Sequence, residues 1–306
     1  MGADGKTVER TSAAEGPQRS FSILGVSFQA HRPDPGLYLV ATPIGNLADI
    51  SVRALEVLAG ADLILCEDTR HSARLLSHYG IRTARAALHD HNERARSEVF
   101  ANRIGDGAVI ALISDAGTPL LSDPGHVLAV QVRDAGLPVF PVPGASALLA
   151  AITGSGLPMD RFSFFGFPPA RQAALKVFCT SLRGRPETLV FYESPRRLGA
   201  TLQVFSSVFG ADRTCVIARE LTKKFERFNR GSLGDLATAH AEAEKGEVVL
   251  LVAGAPRTDE VIEKDWQAAL ELALEQKPLS QAVRDISQAF EVRRSEVYAH
   301  ALQIKS

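Results

Sequence analysis

From Leu37 onward the chain alternates short, wholly apolar runs with longer segments whose apolar positions recur every three to four residues. The runs at 37–41, 63–66, 109–113 and 139–142, with a weaker one at 86–88, read as strands buried on both faces. Helical patterns between them stop at glycines: 53–59 before Gly60, 72–79 before Gly80 and 127–135 before Gly136. Strands of that kind alternating with helices predict a parallel sheet covered on both sides, one α/β domain over 35–154. A second α/β domain is expected over 155–258, after a linker at 154–158. Its strands fall near 162–167, 188–192, 214–218, 225–230 and 248–253, with helices around 173–182, 196–209 and 233–244. Residues 259–306 turn helical. Lys277-Pro-Leu-Ser280 caps a helix to about 289 and another starts at Arg293, a pair resembling a helix-turn-helix appendage. Residues 1–20 lack periodicity, and 21–28 has the pattern of an added edge strand. The whole of 1–34 is set apart as a mostly flexible tail.

Composition narrows the picture. The chain has 306 residues, 45% apolar and 23% charged, which excludes a disordered protein. Its net charge of −1 gives no global footprint for a polyanion, so any such partner must be met by a local patch. Cys66, Cys179 and Cys215 are odd in number and lack CxxC spacing, so neither a disulfide framework nor a cysteine zinc site is expected. No apolar run approaches membrane-spanning length, and the reading is a cytoplasmic protein without a membrane partner.

Chemistry is expected where the first domain's strands end. The loops there are Thr42-Pro-Ile-Gly-Asn46, Glu67-Asp-Thr-Arg70, His89-Asp-His-Asn-Glu93, Ser114-Asp-Ala-Gly-Thr-Pro119 with Ser122-Asp-Pro-Gly125, and Pro143-Gly-Ala-Ser146. In open α/β sheets ligands bind at that edge. No G-x-G-x-x-G follows a strand, and Gly2-Ala-Asp-Gly-Lys-Thr7 has the wrong glycine spacing for a P-loop. Nucleotide triphosphates and dinucleotides lose weight accordingly. Gly144-Ala-Ser146-Ala-Leu148 fails the nucleophile-elbow pattern, and Ser146 reads instead as a helix cap. His89, His91 and Glu93 are too loosely spaced for a metal site without a third-ligand motif, and no metal is expected. In the second domain Arg219, Lys223, Lys224, Arg227 and Arg230 outnumber Glu220 and Glu226, with Phe225 and Phe228 interleaved. That mixture suits a phosphate backbone and a stacked base, although a charge run is more often a solvated face.

Several of these strings, taken in order, resemble the ribosomal RNA small-subunit methyltransferase I family. They are Leu39-Val-Ala-Thr-Pro-Ile-Gly-Asn-Leu-Ala-Asp-Ile50, Cys66-Glu-Asp-Thr-Arg70, His89-Asp-His-Asn-Glu93, Ile113-Ser-Asp-Ala-Gly-Thr-Pro-Leu-Leu-Ser-Asp-Pro-Gly125, Val142-Pro-Gly-Ala-Ser146, Tyr192-Glu-Ser-Pro-Arg-Arg197 and Arg219-Glu-Leu-Thr-Lys-Lys224. The resemblance runs from about 35 to 256, with a weaker echo at 278–302, and leaves 1–34 uncovered. It implies two α/β domains of tetrapyrrole-methylase type, a homodimer, and S-adenosylmethionine bound in the cleft between domains. The implied reaction is 2′-O-methylation of a decoding-centre cytidine in 16S rRNA within the small ribosomal subunit. By motif position, Asp115, Gly117, Thr118, Pro119, Leu120, Ser146 and Ala147 would hold the cofactor, with Pro43 closing it from the first loop and Gly254 and Pro256 from the second domain. Gly117-Thr118-Pro119 stands where tetrapyrrole methylases carry a GDP-type turn, which favours the RNA branch.

Methyl transfer from a sulfonium is an in-line displacement, and the ribose hydroxyl needs a proton acceptor or a stabiliser of its developing charge. Lys223 or Lys224, tuned by Glu220 or Glu226, is the expected catalytic group. Glu67, Asp68 and Arg70 form the rival cluster. Arg219, Arg227, Arg230, Arg196 and Arg197 are expected to hold RNA. The alternatives are a tetrapyrrole-precursor methyltransferase, a non-catalytic RNA-binding assembly factor on the same fold, and, weakest, a dehydrogenase.

Overall fold

The computed structural model of the chain describes residues 19–89, 92–241, 246–256, 259–290 and 292–305, the side chains of 259–265 and 305 excepted. His91 and residues 1–18, part of the expected tail, lie outside the described residues. The chain opens on a hairpin, β1 (Ser20–Ile23) and β2 (Val26–Gln29). Its turn residues Leu24 and Gly25 both have positive φ (50° and 82°), the geometry that matches a two-residue loop to strand twist. The expected edge strand at 21–28 therefore closes on itself rather than joining a larger sheet. Nor are residues 19–34 a flexible tail. Phe21 is buried and stacks on Phe28 at 5.5 Å, while Arg19 and Arg32 reach Asp62 at 2.8 and 2.7 Å.

Then come β3 (Gly36–Val40), α1 (Val52–Gly60), β4 (Leu63–Cys66), α2 (Thr69–His78), β5 (Arg85–Ala87), α3 (Glu93–Gly105), β6 (Val109–Ile113), α4 (His126–Asp134) and β7 (Val139–Val142). The strands form one parallel sheet in the order β5-β4-β6-β3-β7. Because β4 and β6 are buried at every position, each sends alternate side chains to both faces. Leu55, Leu58 and Leu76 of α1 and α2 close one face over Val40, Ile64 and Ala111. Phe100, Ile104, Leu128 and Val132 of α3 and α4 close the other over Leu37, Leu65 and Leu112. The adjacent strands β3 and β6 lead off in opposite directions along the sheet, the place in an open α/β sheet where ligands bind beyond the carboxyl ends of the strands.

The second half contains α5 (Ala147–Ser155), β8 (Phe162–Phe164), α6 (Gln172–Leu182), β9 (Thr188–Glu193), α7 (Leu198–Phe209), β10 (Thr214–Arg219), β11 (Arg227–Ser232), α8 (Leu233–Ala239) and β12 (Val248–Val252). Its sheet runs β11-β10-β12-β9-β8, with only β8 and β9 parallel. Helices α6, α7 and α8 cover one face around Phe191 and Phe205. Helix α5 covers the other, with Leu148, Ala151 and Ile152 buried on Val190, Val216 and Leu251. The boundary expected at 154 thus cuts through a packing unit, since α5 precedes it in sequence and belongs to the second sheet by contact. Finally α9 (Asp259–Gln276), α10 (Leu279–Phe290) and α11 (Arg294–Lys305) pack on one another around Trp266, Leu270, Val283, Ile286 and Val297. No helix among the described residues is long and apolar enough to cross a membrane.

Candidate active site

The crevice beside β3 and β6 is stitched by backbone. Thr42 N–H donates to Gly117 O at 2.8 Å and Gly117 N–H returns a bond to Thr42 O at 3.0 Å. The Thr42 hydroxyl donates to Ser114 O, the Ser114 hydroxyl to Gly117 O, and the Thr118 hydroxyl to Ala145 O, each within 3.2–3.3 Å. Gly117 has φ +82°, which a β-carbon would strain, and a β-carbon there would stand 3.3 Å from Ile44 Cγ2. Downstream, Leu120 and Ser122 adopt φ of 71° and 72°, left-handed conformations costing L residues about 1 kcal/mol or more each. Gly125 ends the loop at φ +115°, where a β-carbon would stand 2.3 Å from Leu112 Cδ2. Glu93 explains how the loop is anchored. Its buried Oε1 accepts from Val127 N–H at 2.8 Å and Leu128 N–H at 3.3 Å, so it holds the N-terminus of α4. Among the described residues no group of His, Cys, Asp and Glu could hold a metal ion.

Two cavities flank this stitched loop. The smaller, about 320 Å³, lies between the sheets: Gly117, Thr118, Leu121, Asp123 and Ala147 face Phe167, Tyr192, Leu221 and Val248. The larger, about 940 Å³, lies between loop 42–47, α2 and Ser114–Asp115, with Lys223 reaching in from the second half. Ile44, Ala116 and Glu247 line both, which marks where the two meet.

Lys223 sits at that junction. A β-carbon on Gly45 would stand 2.5 Å from Lys223 Cγ, so the lysine stem crosses the first domain's loop by using the missing side chain. Its Nζ donates to Glu220 and to Glu247, both at 3.0 Å. Gly246 (φ +101°) in turn lets the Glu220 carboxyl approach. Burial works against the ammonium charge, but the two carboxylates outweigh it and hold the amine above its ordinary range. The Glu220 carboxyl is held low by the Glu247 N–H and then by Lys223. Lys223 is therefore a hydrogen-bond donor here: of the two roles open to it, stabilising developing charge fits this setting, while taking the proton needs a neutral amine that the setting disfavours. Lys224 lines neither cavity; its ammonium lies over the exposed Phe225 ring at 5.7 Å.

Asp123 has the opposite problem. Burial, then Glu67 and Asp115, raise its carboxyl to about 6 even though Ser114 hydrogen-bonds to it. Tyr192 packs edge-on to Phe164 at 4.8 Å and beside the exposed Phe167 at 5.6 Å, an aromatic corner across the cavity from that carboxyl.

The residues expected from sequence divide as follows. Gly117, Thr118 and Ala147 line the smaller cavity; Pro43 and Asp115 line the larger. Pro119 and Leu120 continue the loop without lining either, and Ser146 is the buried residue preceding α5. Gly254 and Pro256 are not at the cleft. Val248 pairs with Glu193 and Val252 with Leu189, so antiparallel β12 meets the cleft at its start, and Gly254 lies beyond its far end against Pro186. Asp68 caps α2 by accepting from Arg70 N–H at 2.8 Å, and Arg70 extends into solvent with a 3.4 Å ion pair to Asp68. That cluster stands outside both cavities. Arg219 and Arg227 pair across β10 and β11 and, with Glu220, Phe225 and Gly246, line a third hollow of about 280 Å³. Arg230 donates to Gly156 O, Phe228 is packed over Gly154, and Arg196 is exposed. Arg197 is occupied structurally, donating to Pro168 and Pro169 carbonyls and pairing with buried Glu193 at 3.3 Å. Sequence reasoning missed Asp123, Tyr192 and Glu247. The first two stand inside the strings quoted above; Glu247 lies outside all of them and had no signal of its own.

A family model for tetrapyrrole (corrin/porphyrin) methylases matches residues 36–237, and one for the RsmI C-terminal HTH domain matches 260–305. A curated relative named ribosomal RNA small subunit methyltransferase I, from Pseudomonas aeruginosa, is 46% identical over 272 residues, covering 87% of this chain and 96% of its own. Among solved structures, the methyltransferase CobJ superposes with a TM-score of 0.55 at 18% identity, over 73% of this chain and 96% of that one. Uroporphyrin-III C-methyltransferase from Thermus thermophilus, complexed with S-adenyl homocysteine, gives 0.50 at 19% identity over 71% of this chain and 96% of that one. At those identities the likeness speaks to fold. With a family model matching 36–237 and a relative at that identity over nearly its full length, the chain belongs to the tetrapyrrole methylase family, in the branch of the ribosomal RNA small subunit methyltransferases I.

Proposed function

We propose that this protein is an S-adenosylmethionine-dependent methyltransferase that modifies the ribose 2′-oxygen of a cytidine in 16S rRNA. The observation that carries the reading is the pair of cavities meeting at Ile44, Ala116 and Glu247, one sized for a small cofactor and one open enough for a nucleotide. The residues present fit the cofactor. The smaller cavity has no cradle of successive glycine N–H groups for phosphate, and it sets the Asp123 carboxyl and the Tyr192 and Phe167 rings where a cationic, aromatic ligand finds both kinds of partner.

When bound, S-adenosylmethionine supplies an electrophilic methyl on a positively charged sulfur. The protein's part is to align and to manage the proton. Gly117 and Ala147 bring backbone close from one side, and Leu221 and Val248 close the other. Glu247, at the junction of the cavities, takes the hydroxyl proton. Lys223, fixed by Glu220 and by its stem over Gly45, donates to the acceptor oxygen as charge develops there. Arg219, Arg227 and Phe225 hold flanking RNA. The same reading has the chain act as a cytoplasmic homodimer on the small ribosomal subunit, and light scattering checks the dimer.

The test is transfer of labelled methyl to small subunits from cells lacking the endogenous activity, with naked 16S rRNA in parallel, followed by nuclease digestion and mass spectrometry. Label on one cytidine ribose is expected. Cofactor binding without label on either RNA would point to a tetrapyrrole-precursor substrate instead.

A further inference from the structure

Helix α2 carries Arg70, His71, Arg74 and His78 and no acidic residue. The whole stretch 69–89 holds four arginines and three histidines without one Asp or Glu, in a chain whose net charge is −1. Helical spacing puts Arg70, Arg74 and His78 on one stripe and His71 beside them, one and two turns apart. The opposite side of the helix is committed to the fold, with Leu76 and Ser72 buried. His71, Arg74 and His78 line the larger cavity, and Lys223 faces them across it.

We propose that the basic face of α2 is the wall along which the RNA backbone lies while the acceptor nucleotide occupies the larger cavity. The inference rests on the methyltransferase reading and adds a binding surface to it, separate from the Arg219–Arg230 segment. Arginines spaced along a helix, with Lys223 opposite, suit a polyanion better than a single phosphate, which prefers one nest of converging donors. Positions four residues apart advance about 6 Å along the helix, a step on the scale of one nucleotide in an extended strand. The floor of the same cavity is Thr42–Gly45 and Ser114–Ala116, so a strand on this wall would present its ribose towards Ile44 and Glu247, where the smaller cavity opens. Arginine supplies the phosphate contacts, and the histidines add planar faces for stacking.

The experiment measures binding of the unmodified small subunits to wild type, Arg74→Glu, the double variant His71→Ala/His78→Ala, and a control, Arg103→Glu, on α3 at the other face of the sheet. Affinities are taken by filter binding between about 50 and 200 mM salt, and cofactor affinity by calorimetry. Arg74→Glu should weaken subunit binding at least tenfold at the lower salt and reduce the log–log salt slope by about one. The double variant should weaken binding severalfold. Cofactor affinity should not change, and Arg103→Glu should bind like wild type. Subunit affinities for Arg74→Glu within twofold of wild type, or an equal loss in Arg103→Glu, would overturn the assignment while leaving the methyltransferase reading intact. Wild type that neither binds nor methylates the subunits would remove both.

Discussion

At the scale of single residues, the site is organised by charges held away from their ordinary state. Asp123 is a carboxyl whose ionisation the fold resists. The sign follows from linkage: with the folded value near 6 and the unfolded one near 4, the native state binds the proton more tightly, so stability falls as pH rises through that window. Asp123→Asn removes the penalty and should stabilise the unliganded protein by on the order of 1 kcal/mol above pH 6, after allowance for its partial exposure. Thermal melts at pH 7.5 and pH 4 should differ accordingly, with the gain absent at the lower pH. The same carboxyl should make affinity for the cationic cofactor rise between pH 5 and 7, and Asp123→Asn should flatten that rise. Lys223 is the reverse case, a cation stabilised by two carboxylates. Lys223→Met should lower the single-turnover methyl-transfer rate by about 100-fold or more with cofactor affinity preserved, while Lys223→Arg recovers part of it. An unchanged rate would remove Lys223 from the reaction.

At the scale of elements, what was legible in the sequence and what was not have separate physical causes. β4 and β6 coincide with their expected bounds because strands buried on both faces are continuous apolar runs that end where polar loops begin; β7, an edge strand with only Val142 buried, coincides because its apolar run is likewise cut short by Pro143-Gly144. The hairpin β1–β2 was read as tail and edge strand because its turn, Leu24-Gly25, lacks the usual Asn or Asp, and because Arg19 and Arg32 are tied down by Asp62, far along the chain. The first sheet's contribution to the site was legible for the same reason the sheet was: parallel strands all end at one edge. The second sheet's was not. Gly254 and Pro256 follow an apolar strand as the binding loops of the first sheet do, but β12 runs antiparallel to β9, which turns its other end to the cleft. Strand direction is a tertiary fact that local pattern does not carry. Glu93 is a further case: its carboxylate, from the first turn of α3, anchors the start of α4, a contact between elements that no local pattern announces. Glu93→Ala leaves two N–H groups at that helix start without their partner and should destabilise the protein by about 1–3 kcal/mol, measurable by urea unfolding. A loss below a few tenths would mean that water replaces the carboxylate.

At the scale of the whole molecule, methyl transfer depends on two sheets being held so that a cofactor cavity and an acceptor cavity share a wall. Helix α5 does much of this, following β7 of the first sheet yet packing on the second, so that Ala147 at its start lines the cleft. Lys223 over Gly45 adds a second tie from the other side. The most direct measurement is binding of labelled S-adenosylmethionine to wild type and to Leu121→Trp. Leu121 is an exposed residue that lines only the smaller cavity, so the larger side chain fills it without disturbing the core or the RNA wall. One site per chain in wild type, weakened at least tenfold in Leu121→Trp with small-subunit affinity retained, is the expected result. A variant that binds the cofactor as tightly as wild type would contradict the account, because the methyl donor would then lie outside the cavity between the sheets.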